Sequence, residues 1–533
     1  MPSVREATFE VWREYGLTSI FANPGSTEIK LLADLPDDFR FVLALHEGSV
    51  IGMATGWAIG RGEPALAILH TTAGLGNAVG ALATARVNRA PIVVIVGQQD
   101  RRHLATQPFL AGKLRGLAGE YPVWVDEPVR PQDVPGAVAR AFHEAATARG
   151  PALVIVPMDD WLADADPPEQ RAAPRRVSRA RASEPAVVAE LAALVSAAER
   201  PALVVGAGAD EPETWAALVA LAERLVCPVW QESFSSRAGF PQDHRLFAGH
   251  LPADRVRLRE TLAPHDLVLA VGAPAFRQYP FIPGAFAPEA SRVVVVSDDP
   301  AEVHRSTAEL AVLASPGIVC AELARLVPER DGEPPAIAAR PAPPSPPAAG
   351  EPMRAAHVFA ALAERLPRSA IVIEESPSSR PDLLVQLPAR ESLGSLSPAM
   401  GGLGFALPAA IGLRMALPER PVVAIVGDGS SLYSIQSLWS AGQYHAGALF
   451  VILANGGYAI MDRLAEQSGG SPPWPGFSVD VAALAQALGC PSRSVREHAD
   501  LLAVLDEVLP GLATRGEPLL LEVAIAPDLT FTP

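Results

Sequence analysis

The chain has 533 residues, 49% of them apolar, and a formal charge of −16. That length exceeds one hydrophobic core and predicts roughly three domains at about 150 residues each. The acidic balance argues against a nucleic-acid partner, no apolar run approaches the ~18 residues of a membrane span, and Cys227, Cys320 and Cys490 form no CxxC pair that would suggest zinc or a disulfide framework.

In chain order, MPSVREATFEVWREYG reads as a helix and not an export signal, so a reducing, cytoplasmic setting is expected. Strand SIFAN leads into a Gly-containing loop with Ser26. Strand FVLALHE leads to Glu47, with His46 on the opposite strand face, and ALAILH ends at His70. APIVVIVG and PALVIVP complete the first block. A Pro-rich connector follows, from Asp164 to Pro185. The middle block offers PALVVGAG, HDLVLAVGAP and RVVVVSDD. Its GAGAD (Gly206 to Asp210) lacks the full GxGxxG spacing of a dinucleotide site. A second connector runs from Arg330 to Pro352, and the last block carries AIVIEES, RPVVAIVGDG, ALFVILANGG and PLLLEVAIAP. Continuous Val/Ile/Leu runs alternating with helical segments predict parallel sheets covered on both faces. The expected fold is α/β, with three doubly wound parallel-sheet domains spanning 1–178, 179–340 and 341–533. Such sheets bind ligands at the carboxyl ends of their strands.

The last block holds the strongest chemical signal. One strand ends Gly427-Asp428-Gly429-Ser430, and the next ends at Ala454-Asn455, with 24 residues between Gly429 and Ala454. Adjacent parallel strands would set Asp428 beside Asn455. A carboxylate, an amide oxygen and the Gly457 carbonyl suit Mg²⁺ or Ca²⁺. The glycines admit a phosphate, and Ser430 and Ser431 are expected at the N-terminus of the next helix. This pattern resembles the thiamine diphosphate motif GDG-x(24–27)-NN, with Ala454 in place of the first Asn. In the first block, Glu47 lies among apolar residues and is expected to be buried, with a raised pKa. By the same resemblance, Glu47 hydrogen-bonds the aminopyrimidine ring and activates the cofactor.

A narrower resemblance spans nearly the whole chain. FANPGSTE (Phe21 to Glu28), the Glu47 segment, LHTTAGLGNAVGAL (Leu69 to Leu82), GAPAFR (Gly272 to Arg277) and GGLGFALPAAIG (Gly401 to Gly412) resemble the benzoylformate decarboxylase family. The resemblance implies that Ser26 binds the substrate carboxylate or developing alkoxide, although a helix N-cap role for Ser26 stays open. It implies proton transfer by His70, with a packed core histidine as the alternative. Leu403 would be the wedge under a bent cofactor and the Gly401 carbonyl an acceptor. Ser376 and Ser378 would bind diphosphate. Asn23, Pro24, Gly25, Tyr458, Ile460 and Met461 complete the implied cofactor contacts. A 2-oxo acid substrate and a homo-oligomer, dimer at least and tetramer by family habit, are implied as well.

The pattern departs at several places. Tyr279 stands at the family's second histidine. Ser397 and Leu464 replace two phenylalanines of the substrate pocket, Met461 replaces a leucine and Pro377 a hydroxyl residue. These changes imply a larger, more polar or differently shaped substrate than benzoylformate. They leave open an acetolactate synthase-like or benzaldehyde lyase-like carboligase, and a non-catalytic cofactor-binding paralogue. Arg277 is expected in a structural ion pair.

Overall fold

A computed structural model describes residues 1–333, 335–348 and 350–527. The first sheet contains β1 (Ser19–Asn23), β2 (Arg40–Leu43), β3 (Ala65–Leu69), β4 (Ile92–Gln98), β5 (Trp124–Asp126) and β6 (Pro151–Pro157), in the order β2-β1-β3-β4-β6-β5. The second contains β7 (Pro201–Val205), β8 (Val229–Gln231), β9 (Phe247–His250), β10 (Leu267–Val271), β11 (Arg292–Ser297) and β12 (Leu310–Leu313), ordered β12-β11-β10-β7-β8-β9. The third contains β13 (Ile371–Glu375), β14 (Ser395–Leu396), β15 (Val422–Gly427), β16 (Leu449–Ala454), β17 (Ser492–Val495) and β18 (Leu519–Ala524), ordered β14-β13-β15-β16-β18-β17. The strand pairings within these sheets are parallel.

The central strands ALAIL, IVVIVGQ and PALVIVP are buried at every position. They show no alternation because helices cover both sheet faces. The expected α/β class and its long apolar strands are therefore found. The strands that sequence pattern missed are β5, β8, β9, β12, β14 and β17. All but β8 lie at sheet edges, where one side stays open and short or polar segments suffice.

Strand order reverses between β1 and β3 in the first sheet and between β13 and β15 in the third. Each reversal leaves a crevice at the strands' carboxyl ends. The second sheet reverses between β7 and β10, where the strand-end loops pack closely and leave a small cavity of about 200 Å³ lined by Gly206, Gly208, Glu232, Arg237 and Gly272. A Cβ on Gly206 would lie 2.7 Å from the Gly272 carbonyl oxygen, and one on Gly208 would lie 2.9 Å from Gly272 Cα. The glycines of GAGAD bring two strand-end loops together.

The first and third domains are clasped within the chain. Helix Glu47–Arg61 crosses helix Ala406–Ala416 at backbone contact: a Cβ on Gly56 would stand 2.1 Å from the Ala409 oxygen, and one on Gly412 1.9 Å from the Met53 oxygen. Buried Ser437 Oγ donates to Ser49 Oγ at 2.8 Å, and the Leu43 N–H donates to Tyr444 Oη at 2.7 Å. One continuous apolar core runs from Phe21 and Leu69 to Ile411 and Phe450.

Candidate active site

The catalytic and cofactor-contact residues expected from the sequence lie at the strand ends of the first and third sheets, near crevices where strand order reverses. At the first, β1 delivers Asn23 and β3 runs into His70. Strand β2 stops at Leu43, so Glu47 is not a strand-end residue; it is the first residue of helix Glu47–Arg61. His46 likewise is not on a strand face. It caps this helix, with Nδ1 accepting the Gly48 N–H at 3.0 Å. Capping satisfies a helix-start donor that a strand would have paired with its neighbour.

Glu47 is 7% exposed. Its two carboxylate oxygens accept amide N–H groups from Asn23 and Asn77, each at 3.0 Å. Those amides fix the carboxyl group while leaving it capacity for a further partner. Asn77 lies within the quoted LHTTAGLGNAVGAL segment, yet sequence reasoning gave it no role, because an Asn in mid-helix carries no pattern of its own.

His70 stands one residue past β3 and begins helix Thr71–Val87 without capping it through its side chain. Its Nδ1 lies 3.0 Å from Glu28 Oε2 and 3.0 Å from Thr27 Oγ1. Glu28 is 1% exposed and also accepts the Gly25 N–H at 2.8 Å. The imidazole is thus held by a buried carboxylate that sequence reasoning quoted without assigning a role. Ser26 lies in the intervening loop with Pro24 and is exposed. It does not cap the next helix, because the cap position of Ile29–Leu32 is Glu28. The open helix N-cap alternative is not realised.

At the second crevice, β13, β15 and β16 deliver their ends side by side. Gly427 pairs with Leu453 in the β15–β16 register. Asp428 Oδ1 accepts the Gly429 N–H at 2.8 Å, and Oδ2 accepts the Gly456 N–H at 2.7 Å. Asn455 Oδ1 accepts the Gly457 N–H at 3.1 Å. Burial raises the Asp428 carboxyl above the ordinary Asp value, against the lowering effect of the Gly456, Gly429 and Asn455 N–H groups. The helix expected after the motif is a single turn, Asp428–Ser431, tightened by Ser431 Oγ donating to the Asp428 carbonyl at 2.6 Å. Ser430 is buried within it. Tyr458 packs on Phe477 with ring centroids 5.1 Å apart, and both rings stand over Gly429.

Ser376 and Ser378 follow β13. Ser376 Oγ is buried with no hydrogen-bond partner, while Ser378 Oγ accepts the Ile460 N–H at 3.0 Å and so keeps its own proton to donate. The glycine-rich loop comes back over this crevice: Gly401, at φ +72°, is exposed with open space around it, and Leu403 is half-buried. Buried Glu375 anchors the loop. Its oxygens accept the Gly404, Phe405 and Ala406 N–H groups at 2.7, 2.7 and 2.6 Å. Burial pushes this carboxyl up to about 7, with the three N–H groups opposing the shift. Sequence reasoning missed Glu375; two acids ending an otherwise apolar strand, IVIEE, were the available signal.

This second crevice fits a metal-bound diphosphate. One carboxylate, one amide oxygen and backbone carbonyls at two adjoining strand ends form a hard oxygen donor set. The unpartnered Ser376 hydroxyl and the free proton of Ser378 are donors suited to phosphate oxygens. A Cβ at Gly457 would meet nothing within 4 Å, so there is room. Arg277 is structural: its Nη1 donates to the Ala399 oxygen at 3.1 Å and the Phe234 oxygen at 3.3 Å, with Glu232 4.0 Å from Nε.

Comparison with known proteins identifies the family. Residues 2–114 match the thiamine pyrophosphate enzyme N-terminal TPP binding domain, 188–323 the central domain and 384–523 the C-terminal TPP binding domain. The chain is 38% identical, over all of both chains, to a benzoylformate decarboxylase of Pseudomonas aeruginosa. It superposes on a thiamine diphosphate-dependent 4-hydroxybenzoylformate decarboxylase of Rhodococcus jostii RHA1 with TM-score 0.93 and 36% identity, covering 99% of each chain. It superposes on a benzoylformate decarboxylase of Polynucleobacter necessarius with TM-score 0.90 and 33% identity, covering 100% of each.

Proposed function

This chain belongs to the thiamine pyrophosphate enzymes and stands with their benzoylformate decarboxylases, and from that premise we infer that it removes carbon dioxide from a benzoylformate-like 2-oxo acid, without oxidation, and releases an aldehyde. The observation that carries the reading is Glu47, buried at a helix start and oriented by Asn23 and Asn77.

When bound, thiamine diphosphate supplies an electron sink for the bond to the departing carboxylate. In our reading, Asp428, Asn455 and the Gly457 carbonyl hold Mg²⁺ or Ca²⁺. Ser376, Ser378, Gly427, Gly429 and Ser430 surround the diphosphate. Pro24, Gly25, Gly401, Leu403, Tyr458, Ile460 and Met461 flank the rings. Glu47 would present its carboxyl group to the aminopyrimidine nitrogen for proton exchange. Ser26 donates to the substrate carboxylate. His70 takes and returns a proton at Nε2, the ring nitrogen not engaged by Glu28 or Thr27. Domain boundaries near residues 178 and 340 follow the connectors.

Each half of this machinery makes its contacts inside its own domain: Glu47 with Asn23 and Asn77, Asp428 with Gly429 and Gly456. Beside the second half, Met400, Tyr433, Tyr458 and Met461 are 49%, 58%, 40% and 44% exposed. Apolar side chains left open around a site call for a partner surface. Our reading is that a second copy brings its Glu47 crevice to this one, so the working unit is a dimer at least, and a tetramer by pairing of dimers. No helix among the described residues is long and apolar enough to cross a membrane. The three cysteines are unpaired and buried, which supports a cytoplasmic, reducing setting.

The pocket favours a 2-oxo acid other than unsubstituted benzoylformate, because Ser397 and Leu464 supply no aromatic wall. A second reading, ligation of two carbonyl compounds into a 2-hydroxy ketone, is favoured by Tyr279, which supplies a hydroxyl where an imidazole would exchange protons. The test is release of aldehyde and carbon dioxide from benzoylformate with thiamine diphosphate and Mg²⁺ supplied. Equal, rapid release of both establishes the decarboxylase reading with a tolerant pocket. No release from folded, cofactor-loaded protein removes benzoylformate as substrate, and a 2-hydroxy ketone as main product selects ligation.

A further inference from the structure

The environment of His70 is built around Glu28. The Glu28 side chain is 1% exposed and lies under the loop that follows β1. Strand β4 makes the space for it: a Cβ at Gly97 would land 1.6 Å from Glu28 Oε1 and 2.5 Å from Thr27 Oγ1. The loop closes over the ring at Gly25, where a Cβ would land 2.4 Å from His70 Nδ1. Two positions on separate elements thus lack a side chain where Glu28 and His70 meet. A carboxylate enclosed this way must have its oxygens satisfied. Oε1 accepts the Thr27 hydroxyl. Oε2 accepts the Gly25 N–H at 2.8 Å and faces His70 Nδ1 at 3.0 Å.

The proton inventory then decides the imidazole tautomer. Thr27 spends its proton on Oε1, so toward Nδ1, 3.0 Å away, it presents only a lone pair. An ionised Glu28 also presents only lone pairs. Both neighbours of Nδ1 are acceptors, and Nδ1 must hold the proton. In the neutral ring, Nε2 then carries the lone pair.

We propose that Glu28 is the positioning residue of the reaction: it fixes the proton on Nδ1 of His70 and so reserves Nε2 for proton exchange with the reacting atoms. This rests on the role of His70 given above. The arrangement uses the logic by which a buried carboxylate orients a catalytic histidine in hydrolases, built here from a loop, a strand end and a glycine.

The experiment compares wild type, E28Q, H70A and the double variant. Glutamine is nearly the same size as glutamate, so E28Q tests charge and tautomer with little change of volume. First, ¹⁵N NMR of the cofactor-free protein at alkaline pH, with the His70 signals assigned by their loss in H70A, reads the tautomer directly. The expected result is Nδ1–H in wild type and a mixed or Nε2–H population in E28Q. Second, E28Q is expected to lower kcat about 10²–10³-fold with thiamine diphosphate affinity within about 2-fold of wild type, and to add nothing on top of H70A. The proposal is overturned if wild-type His70 is the Nε2–H tautomer, if E28Q leaves tautomer and kcat unchanged, or if E28Q lowers kcat as much in the H70A background as alone. The NMR result does not require turnover, so inactivity toward every 2-oxo acid tried would overturn the decarboxylase reading and leave the tautomer assignment to be judged separately.

Discussion

Asp428 and Gly456 are joined by a 2.7 Å hydrogen bond from the Gly456 N–H to the carboxylate, across the ends of two adjacent parallel strands. That bond leaves the Asp428 carboxylate committed on one side to the β16 loop, with Asn455 carried beside it. Replacing Asp428 by Asn keeps a group of the same shape but removes the charge a divalent cation needs. Outer partners of metal ligands are already worth about 10–100-fold in affinity. D428N is therefore expected to weaken metal-dependent thiamine diphosphate binding by about 100-fold or more. Titration of tryptophan fluorescence in Mg²⁺ and in Ca²⁺ measures it; binding as tight as wild type removes Asp428 from the metal site.

On the proposed reading, Glu47 serves activation and not cofactor binding. Its oxygens meet the Asn23 and Asn77 amides, not the Asp428 crevice of the same chain. E47Q keeps the shape and removes the acid–base group. The expected result is a fall in kcat of about 10²–10⁴-fold, with cofactor affinity changed by less than about 10-fold. Slower deuterium exchange at the cofactor C2 position, followed by NMR, locates the defect at activation. Wild-type exchange rates in E47Q would place the role of Glu47 elsewhere.

The legible parts of this molecule were those with strong local patterns. The long central strands showed as unbroken Val/Ile/Leu runs because both their faces are buried. Asp428 and Asn455 were readable because each follows such a run. The edge strands were not, since a segment such as SRSV needs only one partner and little burial. The Glu47 register was misplaced for a related reason. After Leu43 the apolar run continues through Ala44 and Leu45, but the backbone has left the sheet and turns into a helix capped by His46. Glu28, Asn77 and Glu375 went unassigned because their partners come from folding: an imidazole 42 residues away for Glu28, a carboxylate 30 residues away for Asn77, and backbone N–H groups 29 to 31 residues along for Glu375.

The Glu375 anchor predicts a pH dependence. Burial pushes its folded-state carboxyl up to about 7 from 4.5. A carboxyl with a raised folded pKa binds its proton more tightly in the folded state than in the unfolded one. Its contribution to stability is therefore present at pH below about 4.5 and is lost as pH rises toward about 7. E375Q removes this titration. Between pH 5 and 8, wild type should lose stability relative to E375Q by about 2–3 kcal/mol, read as the difference of urea midpoints at the two pH values. Parallel midpoints would show that the three N–H groups of Gly404, Phe405 and Ala406 keep this carboxylate ionised throughout. The same variant is expected to weaken cofactor binding, because a Gln amide turns one N–H donor toward the loop's own N–H groups.

Tyr279 offers the test closest to specificity. Its ring is 68% exposed in the single chain, and the segment is tied down through its backbone N–H to the Ala253 oxygen at 3.3 Å. A side chain this open can be exchanged without disturbing the core, so Y279H is expected to change stability by less than about 0.5 kcal/mol. An imidazole there can take and return a proton near neutrality. If protonation of the product-forming carbon limits turnover, Y279H should raise kcat by about 10-fold and shift product from 2-hydroxy ketone toward free aldehyde. Chromatography of both products over one time course measures the partition. Unchanged turnover and partition would mean that His70 alone already supplies the proton fast enough, and that the phenol at Tyr279 was retained without catalytic loss.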